Sequence, residues 1–456
     1  MRHSRLTLSI TALFACGDAD DGRENSGDGS AGMTSLTSAG ATDIGESGEA
    51  SGSGSADASV SATDPSGPMS ADGPGPSDDD DDDGGPTVFD LGVPDGGTAC
   101  GGGGKGGGGD ALLSYIWIAN SSQGSMSKIN TETMIEEGRY IVRADSAGSP
   151  SRTSVNLNGD VAIANRSGGV TKVYANPASC VESNGMPGIQ TSGGGNDLLA
   201  WGTEECVAWH NPMACSSNRP MAWTKGEFSE ATCRWENAKL WTECWSGAQA
   251  QVLLLNGDTG VTEQTIPIPG VNTLVYGGAV DGDGNFWGNQ SGSQLIRVDF
   301  DDFTVQTWPT PPAGPSYGIA IDLEGRPWLC GGGGAARFDE ATGTYQTAVG
   351  SGQAAIGGCM VDADGILWHS RYSEGVLVGI DTDTVTIVSE LAIPAYVHGV
   401  SIDFQGRVWG VVFGGSQAYR VDPATAIVDT FDGLVGAYTY SDMTGFALSS
   451  AGAPSG

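Results

Sequence analysis

One phrase is written four times between Gly277 and Trp409, and it constrains the fold more than any other feature of the chain. The copies run 277–287, 318–328, 358–368 and 399–409. Each reads Gly, three residues ending in Val or Ile, Asp, two variable residues, Gly, two variable residues, Trp. The aspartates Asp281, Asp322, Asp362 and Asp403 stand 41, 40 and 41 residues apart. A period near 40 belongs to repeat architectures whose units cannot bury an apolar face alone, and four-stranded blades are the leading candidate. Within a copy, the apolar stretch before Asp is a short strand. Asp-x-x-Gly is a tight turn, with Asp accepting backbone N–H groups and Gly supplying a positive φ, and the stretch through Trp is the next strand.

A second phrase follows each first one: Leu295–Asp299, Ala336–Asp339, Val378–Asp381 and Tyr419–Asp422. Turns after these aspartates lead into further strands, so the unit is four antiparallel strands joined by short turns. Weaker copies extend the array. Trp241 heads one, with Asn256-Gly257-Asp258-Thr259-Gly260 behind it. Arg152 to Ala162 is another, with Asn156 in the Asp place and Ala162 in the Trp place. Gly445 to Gly452 reads as the front of a copy that stops before its Trp, whereas Tyr115 to Ala119 begins at Trp117 and continues to Asn130. The expected fold is therefore all-β: a seven-bladed β-propeller of four-stranded antiparallel blades over residues 111–456. Its ring is closed by a C-terminal strand joining the N-terminal blade, which removes free sheet edges. The interval from 162 to 241 is about twice the period, which leaves six or eight blades open. It is read here as one blade plus a Cys- and Trp-rich insertion at about 183–231.

The repeats resemble those of virginiamycin B lyase-like and NHL-type propellers. The likeness is carried by phrases such as Tyr317-Gly318-Ile319-Ala320-Ile321-Asp322 followed by Gly325-Arg326-Pro327-Trp328, and it spans roughly residues 112–452. It specifies fold more than activity.

The N-terminal third is of another kind. Residues 1–16 carry Arg2, His3 and Arg5, a short apolar run and Cys16, a secretory signal too short to span a bilayer as a mature helix. Leu13-Phe14-Ala15-Cys16 resembles a bacterial lipobox, which implies acylation of Cys16 and a membrane attachment through that lipid. Residues 17–110 are rich in Gly, Ser and Asp. Up to Ala99 they hold nineteen acidic residues against Arg23 alone, a composition expected to form a disordered tether. Gly101-Gly102-Gly103-Gly104-Lys105 lacks the Ser or Thr, strand and helix of a phosphate loop and is taken as linker. With a formal charge of −35, nucleic acid is not an expected partner. A monomer in the bacterial cell envelope, at the outer membrane or cell surface, is expected.

Eight cysteines besides Cys16 suit disulfides outside the cytoplasm. Cys330 lies two residues past its blade's Trp and Cys359 one past the next blade's opening Gly, so a bridge between neighbouring blades is sterically reasonable. Cys180, Cys206, Cys215 and Cys233 are candidates to staple the insertion to the blade beneath it. No Cys-x-x-Cys pair points to zinc, and Asp281-Gly282-Asp283-Gly284-Asn285 is a turn without the Glu of a calcium loop.

Propellers act through the face formed by the loops entering the first strand and leaving the second. On that face Tyr276, Tyr317, Asn289, Gln290, Arg371 and Tyr372 could bind a polar ligand through ring faces and hydrogen bonds. The resemblance implies, for a lyase, a His with a nearby Glu and a magnesium ion. His398, directly before Gly399, stands where that His would, and His369 could join it from the adjacent blade. Position 396 is Tyr, and no Glu lies within three residues after Trp287, Trp328, Trp368 or Trp409. No metal or other cofactor is expected, magnesium entering only under the lyase alternative. The expected function is a non-catalytic binding or scaffold module for an extracytoplasmic protein, peptide or glycan. The alternative is a propeller-class lyase or hydrolase using His398 and His369.

Overall fold

The computed structural model describes residues 114–452 apart from 248, 291–292, 312–316, 353–356 and 372–374, all within the unit Asp82–Gly456. The signal segment with Cys16, the tether, Cys100 and Tyr372 lie outside the described residues. Six four-stranded antiparallel sheets and one three-stranded sheet follow one another round an axis, making the expected seven blades. The innermost strands of the second to seventh blades are Pro150–Val155, Met221–Trp223, Val275–Val280, Gly318–Ile321, Cys359–Val361 and Val397–Ile402. The first blade supplies Tyr115–Asn120, Ser125–Asn130 and Glu136–Ile141.

The repeated phrase acts as one hydrogen-bonded device. Asp403 Oδ1 accepts the N–H groups of Gln405 and Arg407, and its Oδ2 accepts the indole N–H of Trp409 at 2.7 Å. Asp281 with Trp287, Asp322 with Trp328 and Asp362 with Trp368 repeat the bond at 2.7, 2.9 and 2.7 Å. All four tryptophans are buried between blades, so the carboxylate satisfies a polar atom that packing would otherwise strand. The second phrase makes another side-chain-closed turn. Asp299, Asp381 and Asp422 each accept from two backbone amides just ahead, and Asn130 and Asn256 do so in the weaker copies.

The opening Gly has a different cause. A Cβ on Gly318 would stand 2.7 Å from Gly357 O, and one on Gly358 would stand 2.8 Å from Tyr440 O. Innermost segments crowd together at the axis, so backbone from another blade occupies the side-chain space.

The ring closes through the C-terminal segment as expected, but with different residues. Ala437 bridges Asn120, Tyr438 N–H donates to Ala119 O at 3.1 Å, and Trp117 N–H donates to Met443 O at 2.8 Å. Residues 437–443 thus fill the innermost place of the first blade. Gly445 is not the opening Gly of a copy. It is the turn Gly of Asp442-Met443-Thr444-Gly445, 39 residues after the Asp403 turn, with φ +89° and its N–H donated to Asp442 Oδ1. With the sheet already complete, the following residues have no edge to join. Phe446–Ser450 is a short helix that turns Phe446 and Leu448 inward. Gly452 then meets the fourth and fifth blades through Gly282 N–H and Asp322 O. The segment therefore crosses one end of the axis.

Residues 183–231, read as an insertion, contain two blade strands. Val207–Asn211 is the outer strand of the second blade and Met221–Trp223 the innermost strand of the third. The additions to the period are the excursion between Val173 and Val207 and a hairpin, Glu227–Ser229 with Arg234–Glu236. The excursion is wound about two carboxylates: Glu205 accepts from the amides of Ser183, Asn184 and Gln190, and Glu204 from those of Ser192 and Cys206. Cys180–Cys206 closes it, Cys215–Cys244 ties the connection after Val207–Asn211 to the third blade, and the expected Cys330–Cys359 bridge joins neighbouring blades. Cys233 is also disulfide-bonded.

Removing Asp403 strands the Trp409 indole and two turn amides in a buried site. Asp403→Ala is expected to lower the unfolding free energy by roughly 2–4 kcal/mol. The Asp403→Ala, Trp409→Phe double variant should fall short of additivity by about 0.5 kcal/mol or more. Urea unfolding of the four proteins measures both; full additivity would show that the bond does not couple the two side chains.

Candidate functional site

Each innermost strand brings its first side chains to one end of the axis. In the fourth and seventh blades the register slips between Val275 and Gly277 and between Val397 and Gly399, so Tyr276 and His398 occupy β-bulges. A bulge re-aims a side chain, and here it directs both inward. Tyr317 arrives from the fifth blade, directly before its opening Gly, and Arg219 holds the equivalent place ahead of Met221 in the third. Arg152 of the second blade pairs with Ala164 as Gly277 pairs with Asn289; it stands where the regular copies have Gly. Tyr438, facing Ala119, holds that place in the closing segment, with Tyr440 two residues on.

These side chains form one network. Tyr317 Oη lies 2.6 Å from Tyr438 Oη and 3.0 Å from His398 Nε2, Tyr396 Oη lies 3.0 Å from His398 Nδ1, and Tyr276 Oη lies 3.5 Å from Tyr438 Oη. Arg219 Nη1 donates to Tyr438 Oη at 3.4 Å. Arg152 spans the axis, donating to Tyr276 O at 2.8 Å and to Tyr440 O at 3.2 Å while lying on the Tyr440 ring. Burial pushes the Tyr438 phenol up, but Arg219, Arg152 and the hydrogen bonds from Tyr276 and Tyr317 outweigh it and hold the group below the ordinary phenol value. Burial raises Tyr276 and Tyr317. Tyr438 is thus the acceptor at the centre and Tyr317 a donor to it. Tyr317 also bonds His398 Nε2, and Tyr396 bonds His398 Nδ1, so the imidazole is held between two phenols with its tautomer setting the direction of each bond. The arrangement can hold negative charge on the axis and present ring faces around it.

Of the residues expected here, the structure brings together Tyr276, Tyr317 and His398. Asn289 is buried, its Oδ1 accepting Gly277 N–H at 2.7 Å and so fixing the bulge. Gln290 is buried against Thr273 and Ser293. Arg371 pairs with Glu390 at 2.5 Å. His369 is 0 % exposed, and burial holds its imidazole down to about 4, with Arg371 adding to the effect and the Gly358 backbone opposing it. Among the described residues no three His, Cys, Asp or Glu side chains gather as a metal set. Sequence reasoning missed Arg152, Arg219, Tyr438 and Tyr440. The available signal was phase: Arg152 and Tyr438 each lie four residues before the Asn or Asp of a turn, Asn156 and Asp442, where the regular copies have Gly.

Beneath this cluster lies a small axial chamber of about 40 Å³, lined by Arg152, Ser154, Tyr440, Ser441 and Asp442 and by Ala447 and Leu448 of the helix. Asp442 is the turn aspartate of the shared blade, yet Trp117 donates its indole N–H to Gly159 O at 3.2 Å instead, which leaves Asp442 Oδ2 buried without a partner. Burial pushes this carboxyl up to about 6 against the N–H groups of Gly445 and Thr444.

No family model matches the sequence, and no curated protein does. In fold the chain is similar to a catalytically inactive virginiamycin B lyase from Staphylococcus aureus crystallised with quinupristin. That likeness has 15% identity and a TM-score of 0.45 over 62% of this chain and 84% of that one. It is also similar to a functionally unknown protein from Desulfotomaculum acetoxidans DSM 771, at 11% identity and a TM-score of 0.49 over 72% of this chain and 98% of that one. The likeness expected from the repeats is found at the level of the fold.

Folding raises the Asp442 carboxyl above its ordinary 3.8, so the folded state binds this proton more tightly. Its contribution to stability is fullest below about pH 4 and is lost as pH rises through about 6. Asp442→Asn keeps an acceptor for the turn amides and removes the titration. Thermal unfolding from about pH 4 to about pH 7 should show the Tm difference moving in favour of the variant; a constant difference would refute the assignment.

Proposed function

We propose that this chain is a lipid-anchored protein of the bacterial cell envelope. In this reading its propeller is a monomeric, non-catalytic binding module, taking an extracytoplasmic protein, peptide or glycan at the axial face. One observation carries it: side chains from six of the seven blades, Arg152, Arg219, Tyr276, Tyr317, His398 and Tyr438, converge in a single hydrogen-bonded aromatic cluster rather than being spread over the rim. Tyrosines supply large ring faces at small conformational cost, with hydroxyls to orient a ligand. Phe413, 51% exposed, lies 4.9 Å from the His398 ring and carries the cluster outward to solvent. Support for the location comes from the lipobox-like Cys16, the acidic tether and disulfides, which persist in oxidising compartments. Of the two histidines in the catalytic alternative, His398 stands in this cluster, whereas His369 is sealed within the sixth blade.

The test is binding of the labelled chain to glycan and peptide arrays, followed by Phe413→Ser and Tyr396→Ala at the exposed edge of the cluster. Each variant should weaken the captured ligand by about tenfold. Unchanged affinity in both would move the site elsewhere. Chemical turnover of the ligand that His398→Ala abolishes would replace this reading with the catalytic one.

A further inference from the structure

Three arginines surround Tyr438 in a chain of formal charge −35. Arg152 is 1% exposed, Arg219 is buried, and Arg166 is half-buried. Elsewhere on this propeller, arginines such as Arg326, Arg371 and Arg420 meet carboxylates. These three instead face phenol rings. Arg152 lies on Tyr440, Arg219 is 4.7 Å from the Tyr276 ring centre, and Arg166 is 4.7 Å from that of Tyr438. Among the described residues none of the three forms an ion pair, and the buried Nε atoms of Arg152 and Arg219 have no hydrogen-bond acceptor. Glu243, the carboxyl on which Arg219 acts, is fully buried with Oε2 unpartnered, and burial holds it well above the ordinary carboxylate value, against the Val275 amide and Arg219. Buried guanidinium groups are ordinarily paired, because desolvating the charge is costly and the planar fork is made to be met by an oxyanion. The bonds these arginines do make go to carbonyl and hydroxyl oxygens, Arg152 to Tyr276 O and Tyr440 O, Arg166 to Ser149 and Arg219 to Tyr438, so the donors are assembled without a carboxylate bonded to them.

We propose that the axial cluster is an anion site, in which Arg152, Arg166 and Arg219 receive an oxyanion of carboxylate, sulfate or phosphate type beside Tyr438. That the anion belongs to a larger ligand rests on the binding-module reading above; the site itself does not. Guanidinium forks bind planar and tetrahedral oxyanions by paired N–H donors, and Tyr276 and Tyr317 add hydroxyl donors. In the free protein the Tyr438 oxygen takes the anion's part, accepting from Arg219 and sharing hydrogen bonds with the Tyr317 and Tyr276 hydroxyls. An arriving oxyanion takes over those donors, and the Tyr438 phenol moves back up toward its ordinary value. The groups facing Tyr438 that set this balance are Arg152, Arg166, Arg219, Tyr276, Tyr317, Tyr440 and His398.

The full chain is titrated calorimetrically with inorganic phosphate, sulfate and acetate against chloride at constant ionic strength, and its tyrosinate absorbance is followed across pH with and without each anion. Saturable binding is expected, together with a shift of the earliest tyrosine titration to higher pH. Arg166→Gln and Arg219→Gln should each weaken binding by about tenfold, and Arg407→Gln, paired with Asp422 in a turn of the seventh blade, should leave it unchanged. If Arg219→Gln does not fold, the half-buried Arg166 decides alone. A preference for acetate assigns a planar carboxylate, and a preference for phosphate or sulfate a tetrahedral group. Absence of saturable binding, or equal weakening by Arg407→Gln, overturns the proposal. If array ligands still bind while small anions do not, this inference falls and the binding module stands; if neither binds, both fall.

Discussion

The ring depends on one bond, from a turn carboxylate to the indole N–H six residues on. Packing four blades around large aromatic wedges requires Trp287, Trp328, Trp368 and Trp409 to be buried, and each brings an N–H that cannot be left unpaired. A carboxylate buried to meet it is itself penalised. Burial raises Asp281, Asp362 and Asp403 above the ordinary carboxylate value, with the tryptophan and turn amides pulling them back. The device is favourable only because one side chain closes the turn and the indole together. Where a blade lacks it, the indole turns to a neighbour's backbone: Trp117 to Gly159, Trp223 to Ser154 and Trp241 to Gly284. The regular blades are therefore tied within themselves and the irregular ones to the blade beside them.

That distinction accounts for what was legible in the sequence. A bond between positions six apart writes itself as a fixed spacing, so Asp-x-x-Gly-x-x-Trp could be read four times, and the blade count followed from its period. The opening Gly was equally visible because crowding at the axis recurs in each regular blade, from backbone first at Gly318, Gly358 and Gly399 and from the Asn289 amide first at Gly277. What failed was phase at the chain's end. Gly445 resembles an opening Gly in one dimension, and only the spacing of Asp442 from Asp403 identifies it as a turn Gly. The second blade's outer strand and the third blade's innermost strand were hidden for another reason. Met221–Trp223 is three residues long and is followed by a hairpin where the turn should be, so no Asp marks it.

The candidate site was legible by halves. Tyr276, Tyr317 and His398 could be named because they stand beside a conspicuous Gly, and bulges turn two of them inward. Arg152 was aligned in the Gly place of its copy, but a Gly place marks scaffold in the regular blades and so did not mark it as a site residue; Tyr438 escaped because the Asp442 turn behind it was not recognised as a copy. Asn289 and Gln290 looked available because they follow a Trp, but a strand-end amide beside a bulge is first of all a partner for unpaired backbone, and Asn289 serves Gly277 in that way.

Scaffold and site thus obey opposite rules in the same repeat. Blades that keep every element of the phrase leave no side chain at the Gly position and reach the axis only from the residue before it, as Tyr276, Tyr317 and His398 do. Blades that break the phrase add Arg152, Arg219 and Tyr438, so the guanidinium groups come from them. In those blades the stabilising bond is also rearranged: Asp442 loses its indole partner, and the axial chamber between Arg152 and Asp442 is lined by polar atoms without partners. A protein of this acidity that gathers on its axis three arginines without a carboxylate partner among the described residues has concentrated its positive potential where low-dielectric walls screen it least. The irregular blades concentrate at that point both the cost of desolvation and the capacity to recognise a negative group, and the regular blades supply the rigidity that keeps the arginines from relaxing onto the surface.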